Sequence, residues 1–484
     1  MRYVCLCLLL AGCTVGPDYK RPDAPAPPAF KELAGWKISQ PADAADKGSW
    51  WSVYHDPELD RLERMVAVSN QTVKAFEAQY RNAQALVAVA RAGLFPTAGL
   101  SGGVTRAGSG FSSGSSLGTS SSFGSSGSRS ATLYSVSGTV AWDLDVWGRI
   151  RRQVESSTAA AQVSAADLAN AQLSVQATLA VDYFDLRAED ALRQLLTETV
   201  AAYERALRIT ENQYRAGTSS SIDYVIALAQ LQSTQAQLVA VGVQRQQFEH
   251  AIAVLTGHAP AELTIAPAPL AAEVPVLPPG LPSALLERRP DIAAAERVMQ
   301  QENALVGVQL AAYYPDISLS TLGQYVGYPL GQLISTSNQV WSLGATGSEV
   351  LFNGGLRAAD VAAARATYDG SVAAYRQTVL TAFQQVEDAL SGLRILEQQA
   401  QAEAVAVSSS RRAVELTLNA YRAGTVAYTS VITEQTQLLL NQQAALSVQQ
   451  SRLVASVALI EALGGGWSTD DLPKTIETIS PLMP

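Results

Sequence analysis

The sequence predicts a mainly α-helical protein with a smaller β part, in which one unit of a strand hairpin and a long helical hairpin occurs twice. A repeated pentapeptide, two segments of two-residue alternation and two very long helical patterns lead to this prediction. Tyr-Arg-Ala-Gly-Thr stands at 214–218 and again at 421–425, an offset of 207 positions (421 minus 214). Self-similarity at such a distance indicates duplication of a whole structural half.

The duplication extends beyond the pentapeptide. Its further pairs are Gly148 and Arg151 with Gly354 and Arg357, and Leu186-Arg187 with Leu393-Arg394. We therefore expect a first repeat at 51–275, a second repeat at 276–466 and a C-terminal tail at 467–484.

The first residues carry a targeting signal. Leu10-Ala11-Gly12-Cys13 follows a short apolar run and looks like a bacterial lipobox. Cleavage there removes residues 1–12 as a signal peptide and leaves Cys13 as an acylated first residue. The alternative is an ordinary buried cysteine after a signal peptide. Cys5 and Cys7 leave with the signal, so the mature chain has one cysteine and no internal disulfide.

The segment after the lipidation site predicts a tether. Thr14, not Asp, follows Cys13. By resemblance to bacterial lipoproteins, this favours sorting to the outer membrane. Several prolines within 13–50 make the segment stiff and extended, as expected of a connection between a lipid anchor and a folded body.

Two helical patterns precede and follow a β segment in the first repeat. Asp56-Pro57 is a helix start, and apolar residues then recur at helical steps over 57–94. After the β segment, the stretch from Arg149 to Tyr214 has neither proline nor glycine and predicts a helix roughly 100 Å long. Arg357 to Tyr421 is the matching helix of the second repeat.

The β segments alternate with a period of two. From Tyr134 to Leu144 the even positions are apolar or glycine and the odd ones are polar except Ala141, which predicts a strand with two different faces. Residues 97–107 form its weaker partner, giving a hairpin at 97–144 with a mobile Ser- and Gly-rich loop at 108–130. The same alternation predicts a second hairpin at 316–350, so each chain has four strands.

The pentapeptides lie at the tips of the long helical hairpins, which we place at 149–256 and 357–463. Gly217 and Gly424 suit the left-handed position that ends a helix, and Thr218 or a following Ser can cap the next one. The adjacent carboxylates Glu387 and Asp388 on the second hairpin fit a solvated helix face better than a catalytic pair.

Four strands with one lipid-compatible face cannot span a membrane alone, because their edges would leave unpaired backbone groups in hydrocarbon. Since single-chain barrels have at least eight strands, several chains must share one barrel with a polar lumen. The expected aromatic girdle residues are Tyr134, Trp142, Tyr325 and Trp341. The alternative is a soluble sandwich or a β-layer that covers helices.

Composition excludes several function classes. Charged residues are 16% of the chain and the net charge is -9, which disfavours nucleic acid as a partner. The histidines His55, His250 and His258 form no metal-binding pair, and a structural zinc site is not expected. The sequence therefore predicts neither enzyme activity nor a cofactor or metal.

Five motifs are spread over the chain: Cys13 to Tyr19 with Pro22, Trp50-Trp51 with Asp56 to Leu59, Asp143 to Arg149, Leu281 to Ile292 with Glu296, and Leu351 to Gly355. Together they resemble one family, the TolC-like outer-membrane efflux proteins in their NodT-type lipoprotein branch. Trp147 stands where this family usually has Phe. The resemblance covers nearly the whole chain.

The resemblance implies a homotrimer in which twelve strands form an outer-membrane barrel and twelve helices form a periplasmic tube. It also implies a periplasmic adaptor and an inner-membrane transporter of the resistance–nodulation–division type. The residues that would meet the adaptor are Tyr214, Arg215, Gly217, Tyr421, Arg422 and Gly424. The structural alternative for these residues is plain turn chemistry.

Related proteins narrow the periplasmic entrance with acidic residues after the second tip. Here the position nine residues after Gly424 is the neutral Thr433, and the adjacent Glu434 faces about 100° away on a helix. Asp223 follows the first tip and fits either a gate or a helix cap. Asp223, Thr433 and Glu434 are therefore gate candidates.

We expect a lipid-anchored outer-membrane channel that passively conducts exported solutes. One alternative is the exit duct of a type I protein-secretion machine, and another is a periplasmic coiled-coil lipoprotein without a pore. The sequence does not identify the cargo.

Overall fold

The computed structural model describes residues 14–24, 27, 29–32, 49–109, 129–271, 273–275, 288–473 and 475. The predicted signal peptide, Cys13 and most of the Ser- and Gly-rich loop lie outside these residues.

The described ranges are dominated by α-helices whose lengths repeat. They are α1 Pro57–Ser69, α2 Gln71–Ala92, α3 Arg149–Arg215, α4 Ser221–Leu255, α5 Pro290–Ala311, α6 Leu356–Arg422 and α7 Tyr428–Ala462. α3 and α6 have 67 residues each, and α4 and α7 have 35 each. At 1.5 Å per residue, α3 and α6 are about 100 Å long. Within the described residues, no helix combines the length and apolarity needed to cross a membrane.

The pairing of the two repeats differs slightly from the sequence prediction. Gly148 and Gly355 are the left-handed residues that precede α3 and α6, so Gly355 rather than Gly354 corresponds to Gly148. Arg151 and Arg357 still correspond in their contacts. Each binds a carboxylate of the preceding loop, Asp145 at 3.1 Å and Glu349 at 2.6 Å. Arg357 is the second residue of α6 whereas Arg151 is the third residue of α3, so the two arginines differ by one position in their helices.

The predicted helix over 57–94 is wrong in one respect, because it is two helices. Asn70 is extended and separates α1 from α2. Its side-chain oxygen accepts a hydrogen bond from the backbone N–H of Val73 and caps α2, while its amide donates to the Leu255 carbonyl at 2.7 Å. The break therefore joins the end of α4 to the start of α2.

The second repeat has the same end-to-end join. The Arg289 guanidinium donates to the Ala462 carbonyl at 2.9 Å, which connects the end of α7 to the start of α5. α3 packs against α2, α4, α5 and α7, and α6 packs against α5 and α7. Two stacked pairs of shorter helices thus run beside two long helices, and the largest buried core, including Tyr183, Phe184 and Tyr375, lies between them.

One antiparallel sheet holds all four strands in the order β1-β2-β3-β4. The strands are β1 Thr97–Ser109, β2 Arg129–Leu144, β3 Asp316–Gly327 and β4 Gln339–Ser348. Because β2 pairs with β3, the two hairpins form a single surface. β1 and β4 are its edges, and neither edge has a further partner among the described residues.

The register places the apolar positions of all four strands on one face. That face contains Leu100, Val104, Val136, Val140, Trp142, Ile317, Leu319, Tyr325, Trp341 and Leu343. The opposite face is mainly Ser, Thr and Gly, interrupted by Leu133, Ala141, Leu322, Val326 and Val340. The two-residue alternation therefore adds up across strands to a two-faced sheet, as the sequence predicts.

Candidate channel wall and entrance

The four aromatic residues expected in girdles all lie on the apolar face. Trp142 is near the helical end of the sheet, where its indole N–H donates to the Leu94 carbonyl at 3.0 Å. Tyr134 and Tyr325 lie near the opposite end, since Tyr325 pairs with Val136. Eight residues separate Tyr134 from Trp142, which is about 26 Å along a strand. Trp341 pairs with Gly323 and lies between these two levels.

The described N-terminal residues form a strap along the helices, which we define as the described part of 14–32. The Val15 N–H donates to the Trp147 carbonyl at 3.0 Å. The buried Arg152 guanidinium donates to the carbonyls of Val15 and Gly16 and to the Asp18 carboxylate. The strap therefore begins where β2 passes into α3.

Further along, the strap crosses α6. Phe30 is buried against Phe383 at a ring-centroid distance of 6.4 Å. Both Glu387 oxygens accept backbone N–H groups of the strap, from Lys31 at 2.6 Å and Glu32 at 3.0 Å. The expectation of a solvated face at 387–388 is thus wrong for Glu387, because the strap occupies that side of the helix.

The two tips share one backbone conformation. Gly217 and Gly424 have φ of 71° and 74°. A Cβ atom added to either glycine would have no other part of the structure within 4 Å. The glycine is therefore needed for the turn rather than for space. Ser220 caps α4 by accepting from the Ile222 N–H, as expected of a Ser after the first tip, whereas Ala427 precedes α7 without a side-chain cap.

The two tyrosines of the repeated pentapeptide have different environments. Tyr421 is 7% exposed and its hydroxyl donates to the Gln213 side chain at 2.5 Å. Tyr214 is 46% exposed and stacks on Tyr224. Tyr421 thus lies in a joint between the two helical hairpins, which also contains Tyr428 and Val431.

The gate candidates lie on both helical hairpins, with Asp223 on α4 and with Thr433 and Glu434 on α7. Asp223 is in the first turn of α4 and accepts from the Ser219 hydroxyl at 2.6 Å, next to the Tyr421 joint. It is not the helix cap, since Ser220 has that position. Thr433 is exposed and its hydroxyl donates to the Thr429 carbonyl at 3.0 Å, while Glu434 is half-buried beside it on α7.

A buried charged cluster was missed by sequence reasoning. The Asp190 carboxylate accepts from Arg187 at 3.1 Å, from Arg245 at 2.7 Å and from the Ala268 N–H at 3.2 Å. The two arginines also donate to the carbonyls of Ala266 and Ile265. This cluster holds the chain after α4 against α3. The sequence does not indicate it, because the paired residues are far apart along the chain.

Two acidic side chains have strongly raised pKa values outside the sheet. Burial raises the pKa of Glu63 to about 9, and neither of its oxygens has a hydrogen-bond partner in the described structure. Burial, together with the nearby Asp185 carboxylate, raises the pKa of Asp182 to about 6. No group of His, Cys, Asp and Glu residues in the described ranges is arranged to hold a metal ion.

A family model described as outer membrane efflux protein matches residues 64–258 and 281–465. The chain belongs to this family. It is 30% identical over 468 residues to the probable efflux pump outer membrane protein TtgC of Pseudomonas putida, covering 95% of this chain and 94% of that protein. It is 29% identical to the outer membrane protein OprJ of Pseudomonas aeruginosa, covering 96% and 95% of the two chains.

Solved structures agree with this membership. The outer-membrane channel OprN is similar with a TM-score of 0.85 and 29% identity, covering 94% of this chain and all of that one. The fold is therefore that of the outer-membrane efflux channels, and the protein is an outer-membrane efflux channel component. TtgC is named as an efflux pump protein, OprN as a channel and OprJ as an outer membrane protein, and none of the three is named as an enzyme.

Proposed function

We propose that the protein is the passive outer-membrane exit duct of a tripartite efflux system and delivers small molecules to the cell exterior. The observation that carries this proposal is the two-faced sheet with two unpaired edges. Its apolar face suits lipid, and its Ser- and Thr-rich face suits a water-filled lumen. Because open edges cannot lie in hydrocarbon, further copies of the chain must complete the barrel.

A homotrimer is supported by unpartnered stripes on α4 and α6. The exposed apolar residues of α4 are Ile222, Val225, Val239, Val243 and Val254, and those of the α6 stripe are Leu380, Ile395, Val405 and Leu416. At 100° per residue, each set falls within an arc of about 100°. Each stripe therefore provides one continuous face for a neighbouring protomer, and three copies give twelve strands.

Lipid anchoring at Cys13 is supported by the position of the next residue. Thr14 lies against Gly148, just beyond the end of β2, so it is at the helical end of the sheet. An acyl chain on the preceding residue would enter the membrane at this rim. The strap would then run down the outer surface of the tube in the periplasm.

The tips are the proposed contact with a periplasmic adaptor. Residues 214–218 and 421–425 lie about 100 Å from the sheet along α3 and α6, at the end farthest from the membrane. Arg215 and Arg422 are exposed there. An inner-membrane transporter would supply the energy, since a duct of this kind needs no catalytic site or cofactor.

Lysine substitutions at two neighbouring residues of β4 test whether the apolar face of the sheet contacts lipid. Leu343→Lys places a charge on the apolar face, whereas Ser342→Lys places the same charge on the polar face. A lysine in the middle of a lipid-facing strand costs about 2–4 kcal/mol. We expect Leu343→Lys to prevent assembly in the outer membrane and Ser342→Lys to permit it. Equal assembly of the two variants would refute a lipid-facing role for the apolar face.

A further inference from the structure

The join between α7 and α5 leaves a cavity of about 590 Å³, bounded by α3, α5, α6 and α7, which we call the seam recess. Its polar lining consists of Asn170, Ser174, Gln385, Asp388, Glu461 and the pair Arg289–Asp291. The rest is mainly alanine, including Ala455 and Ala458. Cavities that hold drug-sized ligands have volumes of roughly 300–1,000 Å³, and the seam recess falls within this range.

The helix join lies beside the recess, since Arg289 and Ala462 take part in both. Gly464 has a φ of 93° and ends α7 so close to the Arg288 carbonyl that an added Cβ would lie 2.0 Å from its oxygen. The chain between stacked helices therefore contributes no side chain at this point. Alanines on α6 and α7 keep the floor open, whereas elsewhere larger residues fill the space between the helices.

The recess faces the inside of the tube. On α6 the strap contacts Tyr375, Phe383 and Glu387, which recur at steps of eight and four and so share one face. Gln385 is about 200° from Phe383 at 100° per residue, and therefore lies on the other side of α6. Because the strap starts at the membrane rim and covers the outer surface, the opposite side is the lumen.

The charge of the recess is negative. Both Arg289 nitrogens that contact Asp291, at 3.0 and 2.7 Å, neutralise that carboxylate. Asp388 on α6 and Glu461 on α7 remain. The Asp388 carboxylate accepts a hydrogen bond from the Gln384 side-chain amide at 3.4 Å and makes no ion pair among the described residues. Around Glu461 stand Ser174, Arg289 and Asp291, and burial raises its pKa. Burial makes the ionised form of Glu461 unfavourable, and a cation bound beside it would stabilise that form.

We propose that the seam recess is a luminal binding site for organic cations with an apolar body, held between the carboxylates of Asp388 and Glu461 over the alanine floor. The location in a lumen rests on the proposed function, whereas the site itself does not. Solutes of this class would pause at the recess during export, and a tightly held cation of the same class would obstruct the duct.

Binding can be measured by equilibrium dialysis of the full-length protein in detergent with tetraphenylphosphonium, compared with the neutral triphenylphosphine oxide. We expect the cation to bind with a stoichiometry of one per chain, and the double variant Asp388→Asn/Glu461→Gln to bind it about tenfold more weakly, which is a loss of about 1.4 kcal/mol. Tetraphenylphosphonium has no hydrogen-bond donor, so the two carboxylates attract it by charge alone. The matched control is Asp369→Asn, which removes an exposed carboxylate from the same helix outside the recess.

Single-channel recording then tests the luminal position. Tetraphenylphosphonium should reduce the current through the wild-type channel and through Asp369→Asn, but not through the double variant. Equal binding by the double variant and the wild type would overturn the site, and binding without a reduction of current would overturn its luminal position. Absence of current from every protein, with binding intact, would contradict the duct instead.

Discussion

The Tyr421 hydroxyl donates to the Gln213 side chain at 2.5 Å and so links the tips of the two helical hairpins. The pentapeptide tyrosine of the first repeat, Tyr214, is stacked on Tyr224 and remains exposed. Adding the repeat offset to 213 gives Ala420, which has no side-chain acceptor. The sequence repeat is therefore not matched by a repeat of the contact.

Removal of the Tyr421 hydroxyl should loosen the entrance. A hydrogen bond of this kind contributes about 0.5–1.5 kcal/mol, and the half-buried Gln213 side chain would lose its donor. We expect Tyr421→Phe to raise the mean single-channel conductance. The matched change Tyr214→Phe removes the same hydroxyl from an exposed ring and should leave conductance unchanged. Equal effects of both variants would show that the joint does not restrain the tips.

The tip glycines should be required for conformation alone. Gly424→Ala forces a left-handed residue into a turn with open space around it, at a cost of about 1–2 kcal/mol. Gly370→Ala, in the interior of α6 and equally unobstructed, should stabilise the protein by roughly 0.5–1 kcal/mol. Thermal unfolding of the two variants should therefore shift in opposite directions, and a shift of both in the same direction would contradict this explanation.

The buried Asp190 cluster should be among the most sensitive sites of the helical body. Asp190→Asn leaves the guanidinium groups of Arg187 and Arg245 without their shared carboxylate, which costs about 3–5 kcal/mol. The control Glu211→Gln breaks the exposed pair with Arg215 and should cost about 1 kcal/mol or less. Denaturant unfolding of the two variants measures the difference, and similar midpoints would disprove the assigned role.

Glu63 should make the folded protein less stable as the pH rises. Its pKa in the folded protein is raised from 4.5 to about 9, so folding favours the protonated form. The protonated Glu63 therefore contributes its full stabilisation below the pKa of the unfolded state, 4.5. As the pH rises from this value to the folded pKa of about 9, the contribution to the free energy of unfolding falls by about 1.4 kcal/mol per pH unit. The melting temperature of Glu63→Gln relative to the wild type should therefore rise between pH 5 and pH 9. A constant difference over that range would show that Glu63 does not titrate in this way.

The helices and strands were predictable because each pattern continues over many residues without interruption. Alternation in β2 and β3 identified both hairpins, and the absence of proline in α3 and α6 identified helices whose ends differ from the prediction by one residue. The break at Asn70 could not be predicted, since it depends on a hydrogen bond to Leu255, which is 185 positions away (255 minus 70).

The candidate site was only partly predictable. Gly217 and Gly424 were placed correctly in left-handed turns, because this conformation follows from local chemistry. The different environments of Tyr214 and Tyr421 could not be predicted, since identical pentapeptides carry no information about their neighbours. Docking of the strap on Glu387 was equally hidden, because proline-rich segments indicate extension but not the surface that they contact.

The most direct test of a shared barrel combines the mass of the purified protein in detergent with its single-channel conductance in planar bilayers. We expect a trimer with stable openings. The two edges of the four-stranded sheet have no further partner within the described ranges and can close only with further copies of the chain. A monomer that conducts no current would contradict the shared barrel, and would favour a periplasmic coiled-coil lipoprotein without a pore.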